Sequence, residues 1–326
     1  MFHIQNDNKN TYLGAHVTKA GEKKMQKELK EAGFAEFMQP EAEWPSLFIS
    51  ADEWENSPYH SHVSLDMVRS DHFSYTTQKM AGRELFNSDC IQKDPKRELN
   101  DWMKLRAMDR SFDAIFLLQD EEDWMLDAPS EAATNDVPAS KAHGNVVTFG
   151  LGIGYFLYMA LLNPAVTSVT CIENSPQVIE MFNRFLLPQF PQEKKITILG
   201  NDAFACFNEK FLSAYDYVYT DIWKSSDDGL ACIEKLLMQF NPPIEKADFW
   251  IEDSCECVMW TLIFLYFHSL VYKHKININP AYIDLMHKIE TYFTAMDESI
   301  DDPEKLKFYM YDRQTIRNIL ALKKSV

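Results

Sequence analysis

The chain has 326 residues, enough for two or three domains, and its 46% hydrophobic and 25% charged residues are typical of a globular protein with a sizeable core. Its net charge is −17, with 32 basic against 49 acidic residues. This balance excludes a broad basic face for nucleic-acid backbones, so no nucleic-acid partner is expected. A cationic or neutral small-molecule substrate remains compatible with it.

The cysteines and the N-terminus indicate a cytoplasmic protein. None of the six cysteines forms a C-x-x-C pair, which favours reduced thiols. The start MFHIQNDNKN lacks the basic and apolar regions of a signal peptide. The longest apolar run, 258–272, is short for a bilayer and predicts a buried helix, so no membrane contact is expected. The sequence also allows a homodimer.

The first 140 residues predict an α+β domain. A helix is expected over 18–32, strands or loops over 44–68, an amphipathic helix over 95–109 and a β-hairpin of strands 113–118 and 123–126. His60 and His62 would share a face on a strand, which makes a metal pair conceivable, but no third ligand is evident. Residues 128–145 are rich in Pro, Ala, Ser, Thr and Asn and predict a linker or a segment across a pocket mouth. The domain boundary is therefore placed between 1–140 and 141–326.

From residue 145 strands and helices alternate. Strands are predicted over 145–149, 166–172, 195–199, 215–220 and 247–251, with helices between them. This alternation predicts an α/β fold, a doubly wound and mostly parallel sheet. The remaining C-terminal extension is predicted to be helical, with 307–311 as a candidate last strand and Asp312 capping a helix over 314–322.

A glycine cluster follows the first of these strands, in the segment VVTFGLGIGY. Gly150, Gly152 and Gly154 form G-x-G-x-G before a helix-compatible run, a loop suited to a nucleotide's polar groups. Glu173 follows Gly150 by 23 residues, where an acid reaches a ribose hydroxyl pair. Because Phe156 stands where a dinucleotide site needs a third glycine, the loop fits a cofactor without a pyrophosphate. Further strands end in acids, namely Asp202, Asp221 and Glu252 with Asp253.

With VVTFGLGIGY, CIEN, GNDAF and YDYVYTDIW in this order, residues 140–260 resemble class I S-adenosylmethionine-dependent methyltransferases. The resemblance implies a Rossmann-like methyltransferase fold and S-adenosylmethionine as cofactor. It implies that the three glycines pass the methionine part, Glu173 holds the ribose, Asp202 and Ala203 contact the adenine, and 221–223 face the reacting centre. Tyr155, Tyr219 and Trp223 could line the pocket, with core packing as the alternative. Thr148 replaces an acid that the family usually has two residues before the first glycine.

Within that superfamily the layout is similar to spermidine synthases. A hairpin, IFLLQDEEDWML, precedes a segment containing Glu131, then the glycine strand and an acid after strand four. The similarity implies Asp221 as the residue that binds or deprotonates the attacking group, with Glu131 as a second candidate base. The hairpin lacks the glycine after its acidic turn, and no Tyr-His pair follows it.

The function predicted from these residues is methyl transfer from S-adenosylmethionine to a small-molecule acceptor. Aminopropyl transfer and a non-catalytic binding protein of the same fold are the alternatives, and Thr148 favours the latter. A metal-assisted reaction using Asp221, Glu252 and Asp253 lacks supporting ligand spacing, so no metal is expected.

Overall fold

A computed structural model describes residues 10–65, 68–88 and 103–323. The chain divides into two compact units, one formed by the described residues up to Gly200 and the other by those from Asn201 onward. Each unit is described by itself below. The boundary predicted between 140 and 141 stays a prediction.

The first unit begins with helix α1 (Glu22–Glu31), within the predicted range, and the chain leaves it through Gly33 at a φ of 85°. Leu29 of α1 is buried among Phe34, Phe37, Trp44 and Leu47. Strand β1 (Phe48–Ile49) and helix α2 (Ala51–Glu55) follow, and the Ser50 side chain caps α2 by accepting from the Glu53 N–H. The apolar residues around 44–68 therefore form a short strand, a helix and turns.

Two small sheets are formed by the next strands of this unit. The first has the order β1-β5-β4 and the second the antiparallel order β2-β3-β6-β7. Their further strands are β2 (Val68–Arg69), β3 (Phe73–Met80), β4 (Phe86–Asn87), β5 (Leu105–Met108), β6 (Phe112–Gln119) and β7 (Glu122–Leu126). The predicted hairpin is confirmed as β6 and β7, joined through Asp120 and Glu121 at positive φ.

The predicted helix over 95–109 is wrong where the structure describes it. Residues 105–108 form β5, whose residues Leu105 and Ala107 are fully buried while Arg106 between them is not. This alternation is the period of a strand, and four residues were too few to show it against the longer helical pattern. Residues 95–102 of that prediction lie outside the described residues.

The linker predicted at 128–145 is also wrong, because helix α3 (Pro129–Lys141) occupies most of it. Proline is well tolerated in a helix's first turn, and alanine is the strongest helix former. Ala132, Asn135 and Ala139 are buried along one side of α3, and α3 packs against α4 (Tyr155–Leu162).

The glycine motif lies in a parallel set of strands in the first unit. Strand β8 (Gly144–Phe149) pairs with β9 (Val166–Glu173), and β9 pairs with β10 (Lys195–Gly200). Helix α4 follows β8. Helix α5 (Pro176–Met181) follows β9 and begins as predicted, with Pro176 in its first turn and the Ser175 side chain accepting from the Val178 N–H.

The second unit contains two strands and seven helices among the residues described. The strands are β11 (Tyr217–Thr220) and β12 (Ala247–Phe249), which are parallel. The helices are α6 (Ala203–Cys206), α7 (Glu209–Leu212), α8 (Ser226–Leu237), α9 (Glu252–Tyr272), α10 (Ile283–Thr294), α11 (Pro303–Tyr311) and α12 (Arg313–Ala321). The Asp312 cap is confirmed, since its side chain accepts from the Thr315 N–H.

The strand predicted over 307–311 is wrong, because these residues belong to α11. Asp302 accepts from the Glu304 and Lys305 N–H groups, and Pro303 occupies the first turn. Aromatic residues such as Phe308, Tyr309 and Tyr311 are common in strands. The Asp302 cap and the first-turn proline nevertheless favour a helix here.

The strands that alternate with helices are parallel within each unit, in the order β8-β9-β10 in the first and as the pair β11-β12 in the second. Parallel strands joined by helices are the pattern of open α/β nucleotide-binding sheets. The predicted α/β fold class is therefore confirmed.

Helix α9 is, by length and composition, the one helix in the described ranges that could cross a membrane. It has 21 residues, and 44% of its most apolar window is buried. Core helices of soluble proteins pass the same test, so this property alone does not identify a membrane span.

Candidate functional site

The glycine loop after β8 has a backbone conformation that requires glycine. Gly152 and Gly154 have φ values of 49° and 75°. A Cβ atom on Gly152 would lie 2.5 Å from the Met125 Sδ atom, and one on Gly154 would lie 2.5 Å from a Phe182 ring carbon. The positive φ strains any larger residue at both positions, and at Gly154 the Phe182 ring adds a steric clash.

Two buried tyrosines hold the carbonyl groups of this loop. The Tyr75 hydroxyl donates to the Gly152 carbonyl oxygen at 3.0 Å, and the Tyr59 hydroxyl donates to the Ile153 carbonyl oxygen at 2.8 Å. Both tyrosines are fully buried. The loop is consequently fixed by side chains from the N-terminal part of the chain as well as by its own turns.

Glu173, at the end of β9, is fastened to the same loop. One of its carboxylate oxygens accepts from the Leu151 N–H at 3.2 Å, and the other accepts from the Ser175 N–H at 2.7 Å. Burial raises the pKa of Glu173, and these backbone hydrogen bonds oppose that rise. A carboxylate offers about four lone-pair sites, and the N–H groups of Leu151, Asn174 and Ser175 use up to three of them, which leaves acceptor capacity for a ligand hydroxyl. The ribose role of Glu173 stays a prediction.

Thr148 is buried in β8, where it lies opposite Cys171 of β9. It is therefore a strand residue without charge at the position of the family's usual acid.

Tyr155, the first residue of α4, connects the loop to α3. Its hydroxyl donates to an Asp136 carboxylate oxygen at 2.9 Å. Burial raises the pKa of Asp136, and the hydrogen bond from Tyr155 partly offsets this effect. Tyr155 itself is buried, so both interpretations made from the sequence, pocket lining and core packing, are compatible with its position.

A histidine–aspartate pair lies close to Tyr155. The His60 Nε2 atom is 2.8 Å and 3.0 Å from the two carboxylate oxygens of buried Asp127, and the His60 Nδ1 atom is 2.6 Å from the Ser57 hydroxyl. The Trp54 ring lies over His60, with 3.7 Å between ring centroids. The expected strand geometry of His60 and His62 is absent here, because both residues lie in turns.

Glu131, a predicted catalytic residue, lies in the first turn of α3. Burial and, after it, the Asp127 carboxylate raise the pKa of Glu131 to about 7. We refer to Trp54, His60, Asp127, Glu131, Asp136 and Tyr155 as the acidic–aromatic cluster. It holds three carboxyl groups and one histidine. Within the ranges that the structure describes, no three His, Cys, Asp or Glu side chains are arranged to hold a metal ion.

Sequence reasoning missed Asp127. It stands between the hairpin and the segment taken for a linker, and its partner His60 is 67 residues away. The spacing of Asp127 and Glu131 around Pro129 was the available signal, since it places two acids at a helix start.

The other predicted site residues belong to the second unit. Asp202 caps α6, accepting from the Phe204 N–H at 3.0 Å, and Ala203 is buried in that helix. Asp221 directly follows β11 and is half-buried. Tyr219 and Trp223 are buried, as their core-packing alternative requires. The roles of Asp202, Ala203 and Asp221 stay predictions.

The acids after β12 have arginine partners, which the metal-assisted alternative did not anticipate. Glu252 accepts from Arg317 at 2.6 Å and 2.7 Å, and Asp253 accepts from Arg313 at 3.0 Å. Arg317 also donates to the Ala247 carbonyl and is fully buried. Both carboxylates are therefore engaged in joining α9 to α12.

No family model matches the chain, and no curated protein matches it. Similar solved structures include a probable spermidine synthase from Corynebacterium glutamicum, with 8% identity over 53% of this chain and 59% of that one at a TM-score of 0.31. Another is the spermidine synthase of Thermotoga maritima, with 16% identity over 52% and 51% at a TM-score of 0.30. The mitomycin 7-O-methyltransferase MmcR shares 17% identity over 37% and 34% at a TM-score of 0.24.

The chain covers between about a third and three fifths of those structures. The fold follows from the chain's own strands. With a glycine loop between β8 and α4 and parallel strands that alternate with helices, it has a Rossmann-like α/β fold.

Proposed function

We propose that the chain is an S-adenosylmethionine-dependent transferase that methylates a small amine. The observation that carries the proposal is the fastening of Glu173 to the glycine loop. It presents a carboxylate with remaining acceptor capacity beside a glycine loop at the start of α4, an arrangement that suits a ribose hydroxyl group. The absence of a third glycine from the motif argues against a dinucleotide cofactor.

The residues fit the nucleoside half of this cofactor better than its amino-acid half. Glu173 can accept a hydrogen bond from a ribose hydroxyl, whereas Thr148 supplies no charge for the methionine ammonium group. When bound, S-adenosylmethionine supplies an electrophilic sulfonium methyl group. The chain's own residues would bind the acceptor, orient it and take its proton.

The acidic–aromatic cluster supports an amine as acceptor. Its three carboxyl groups face one histidine as their basic neighbour, and burial raises the pKa of both Glu131 and Asp136. A bound cationic amine would relieve this uncompensated charge, and the Trp54 and Tyr155 rings add favourable faces. With a pKa of about 7, Glu131 is suited to accept the amine proton near neutral pH. Asp221 is the other candidate base.

Calorimetric titration with S-adenosylmethionine and S-adenosylhomocysteine tests the cofactor. We expect binding to both and at least a tenfold weaker affinity for the Glu173→Gln variant. Glu193→Gln, the same change at an exposed glutamate, is the matched control and should bind like the parent. If the parent binds neither compound, the proposal is wrong.

Aminopropyl transfer is the second candidate function, and the same cluster favours it because its carboxyl groups suit an amine acceptor. Tighter binding of decarboxylated S-adenosylmethionine, with aminopropylated amines as product, would establish this function instead. Cofactor binding without turnover of any amine would favour the non-catalytic alternative.

A further inference from the structure

Helix α9 has two dissimilar halves. All of its buried residues lie between Glu252 and Ile263. Beyond Ile263 no residue is buried, although the sequence stays apolar, and the helix ends with Leu270, Val271 and Tyr272 exposed by 55%, 72% and 69%. The helix therefore starts in the core of its unit and carries large apolar side chains into solvent.

The exposed end of α9 differs from the rest of the chain in its charged residues. Residues 257–283 contain no Asp or Glu, although the chain has 49 of them. Lys273, His274 and Lys275 follow the helix directly. In the part of the chain that the structure describes, neither lysine takes part in an ion pair. We call residues 270–275 the α9 tip.

We propose that the α9 tip docks on the surface of an anionic lipid bilayer. Leu270 and Val271 would insert among the acyl chains and Tyr272 would lie at the headgroup level, where tyrosine is enriched. Lys273 and Lys275 would contact lipid phosphates, since basic residues beside a membrane attract its anionic headgroups. This proposal replaces the expectation of no membrane contact.

The composition of the tip favours a lipid surface over a second copy of the chain. A stable protein interface buries about 800 Å² on each partner, more than three apolar side chains supply. A peripheral lipid contact needs only a short apolar insertion combined with basic residues. Because the first half of α9 is buried in its own unit, the helix does not span the bilayer in this arrangement.

Vesicle co-sedimentation of the full chain tests the proposal. We expect binding to vesicles of phosphatidylglycerol and phosphatidylcholine, weakening with added salt, and at least tenfold weaker binding to phosphatidylcholine alone. Val271→Asp should lower the partition coefficient at least tenfold. Val137→Asp, the same change at a helical valine exposed by 57%, should leave it unchanged.

A second pair of variants isolates the lysines. Lys273→Ala with Lys275→Ala should lower binding and its salt dependence, whereas Lys24→Ala with Lys27→Ala changes the net charge equally in α1 and should not. Circular dichroism should show all variants folded, because every altered side chain is exposed. Absence of binding to anionic vesicles would overturn the proposal, as would equal binding by the tip and control variants. A concentration-dependent dimer that Val271→Asp dissociates, without lipid binding, would assign the tip to a second copy.

Discussion

The carboxylates discussed in the two units have different partners. In the first unit Glu173 accepts from backbone N–H groups, Asp127 from His60 and Asp136 from Tyr155. In the second unit Glu252 and Asp253 accept from Arg317 and Arg313. A carboxylate that an arginine neutralises holds two elements together and has little capacity left for a ligand. A carboxylate held by backbone N–H or hydroxyl donors has no arginine beside it, so it can still attract a cation or accept from a hydroxyl group.

The largest effect that this comparison predicts is the loss of the arginine from the second unit. Arg317→Met leaves Glu252 without its bidentate partner, so the free energy of unfolding should fall by about 3–5 kcal/mol in urea titrations. Arg69→Met, at an exposed arginine 3.5 Å from Glu121, should change it by about 1 kcal/mol or less. Similar losses for both variants would contradict a structural role for the Arg317 pair.

The next largest effect is expected for Glu131, whose substitution should increase the free energy of unfolding. Folding raises the pKa of Glu131 from 4.5 to about 7, so the folded state favours the protonated side chain. The stability that the protonated side chain contributes is complete below pH 4.5 and is lost as pH rises through 7. Glu131→Gln should therefore be more stable than the parent by about 3 kcal/mol at pH 8. The difference should be small at pH 4. Thermal unfolding across this pH range measures it, and a pH-independent difference would show that Glu131 does not titrate in this way.

A smaller stability effect is expected for Glu173, together with a loss of ligand affinity. Glu173→Gln weakens two hydrogen bonds to a charged acceptor and should lower the free energy of unfolding by about 1–2 kcal/mol. Its affinity for S-adenosylhomocysteine should fall at least tenfold. Paired unfolding and calorimetric measurements check both. A stability loss as large as that of Arg317→Met, with affinity unchanged, would place Glu173 in the structural group with Glu252.

The smallest effect is expected for the tyrosine that supports the loop. Tyr75→Phe removes the hydrogen bond to the Gly152 carbonyl and should destabilise the protein by about 1 kcal/mol. Tyr158→Phe serves as the control, because its ring packs against Tyr59 and Phe190 without a described hydroxyl contact to the loop. Amide hydrogen exchange at 150–154 should increase in the first variant alone.

Much of the parallel sheet could be predicted from the sequence, because local patterns specify it. Short apolar runs, the glycines after β8 and the Ser175–Pro176 helix start all act within a few residues of the element they specify. The predictions for the segments that form α3 and α11 were wrong because the composition of each segment is compatible with both a helix and another conformation. In both cases a cap or a first-turn proline decided for a helix.

The long-range side-chain pairs were beyond sequence reasoning for a different reason. His60 and Asp127 are 67 residues apart, and Glu252 and Arg317 are 65 apart. No periodicity links such residues, since only the folded backbone brings them together. The acids Glu173 and Glu252 looked equivalent as strand-end residues, and their partners alone distinguish them.

The hydroxyl groups that hold the glycine loop have a consequence for shortened forms of the protein. Tyr59 and Tyr75 precede their loop partners by 94 and 77 residues. A fragment that begins at residue 141 would retain every glycine of the motif and lose both donors, along with the Met125 contact. Conversely, during synthesis the two tyrosines leave the ribosome well before the carbonyl groups they bind. The glycine loop therefore depends for two of its hydrogen bonds on side chains that precede residue 141.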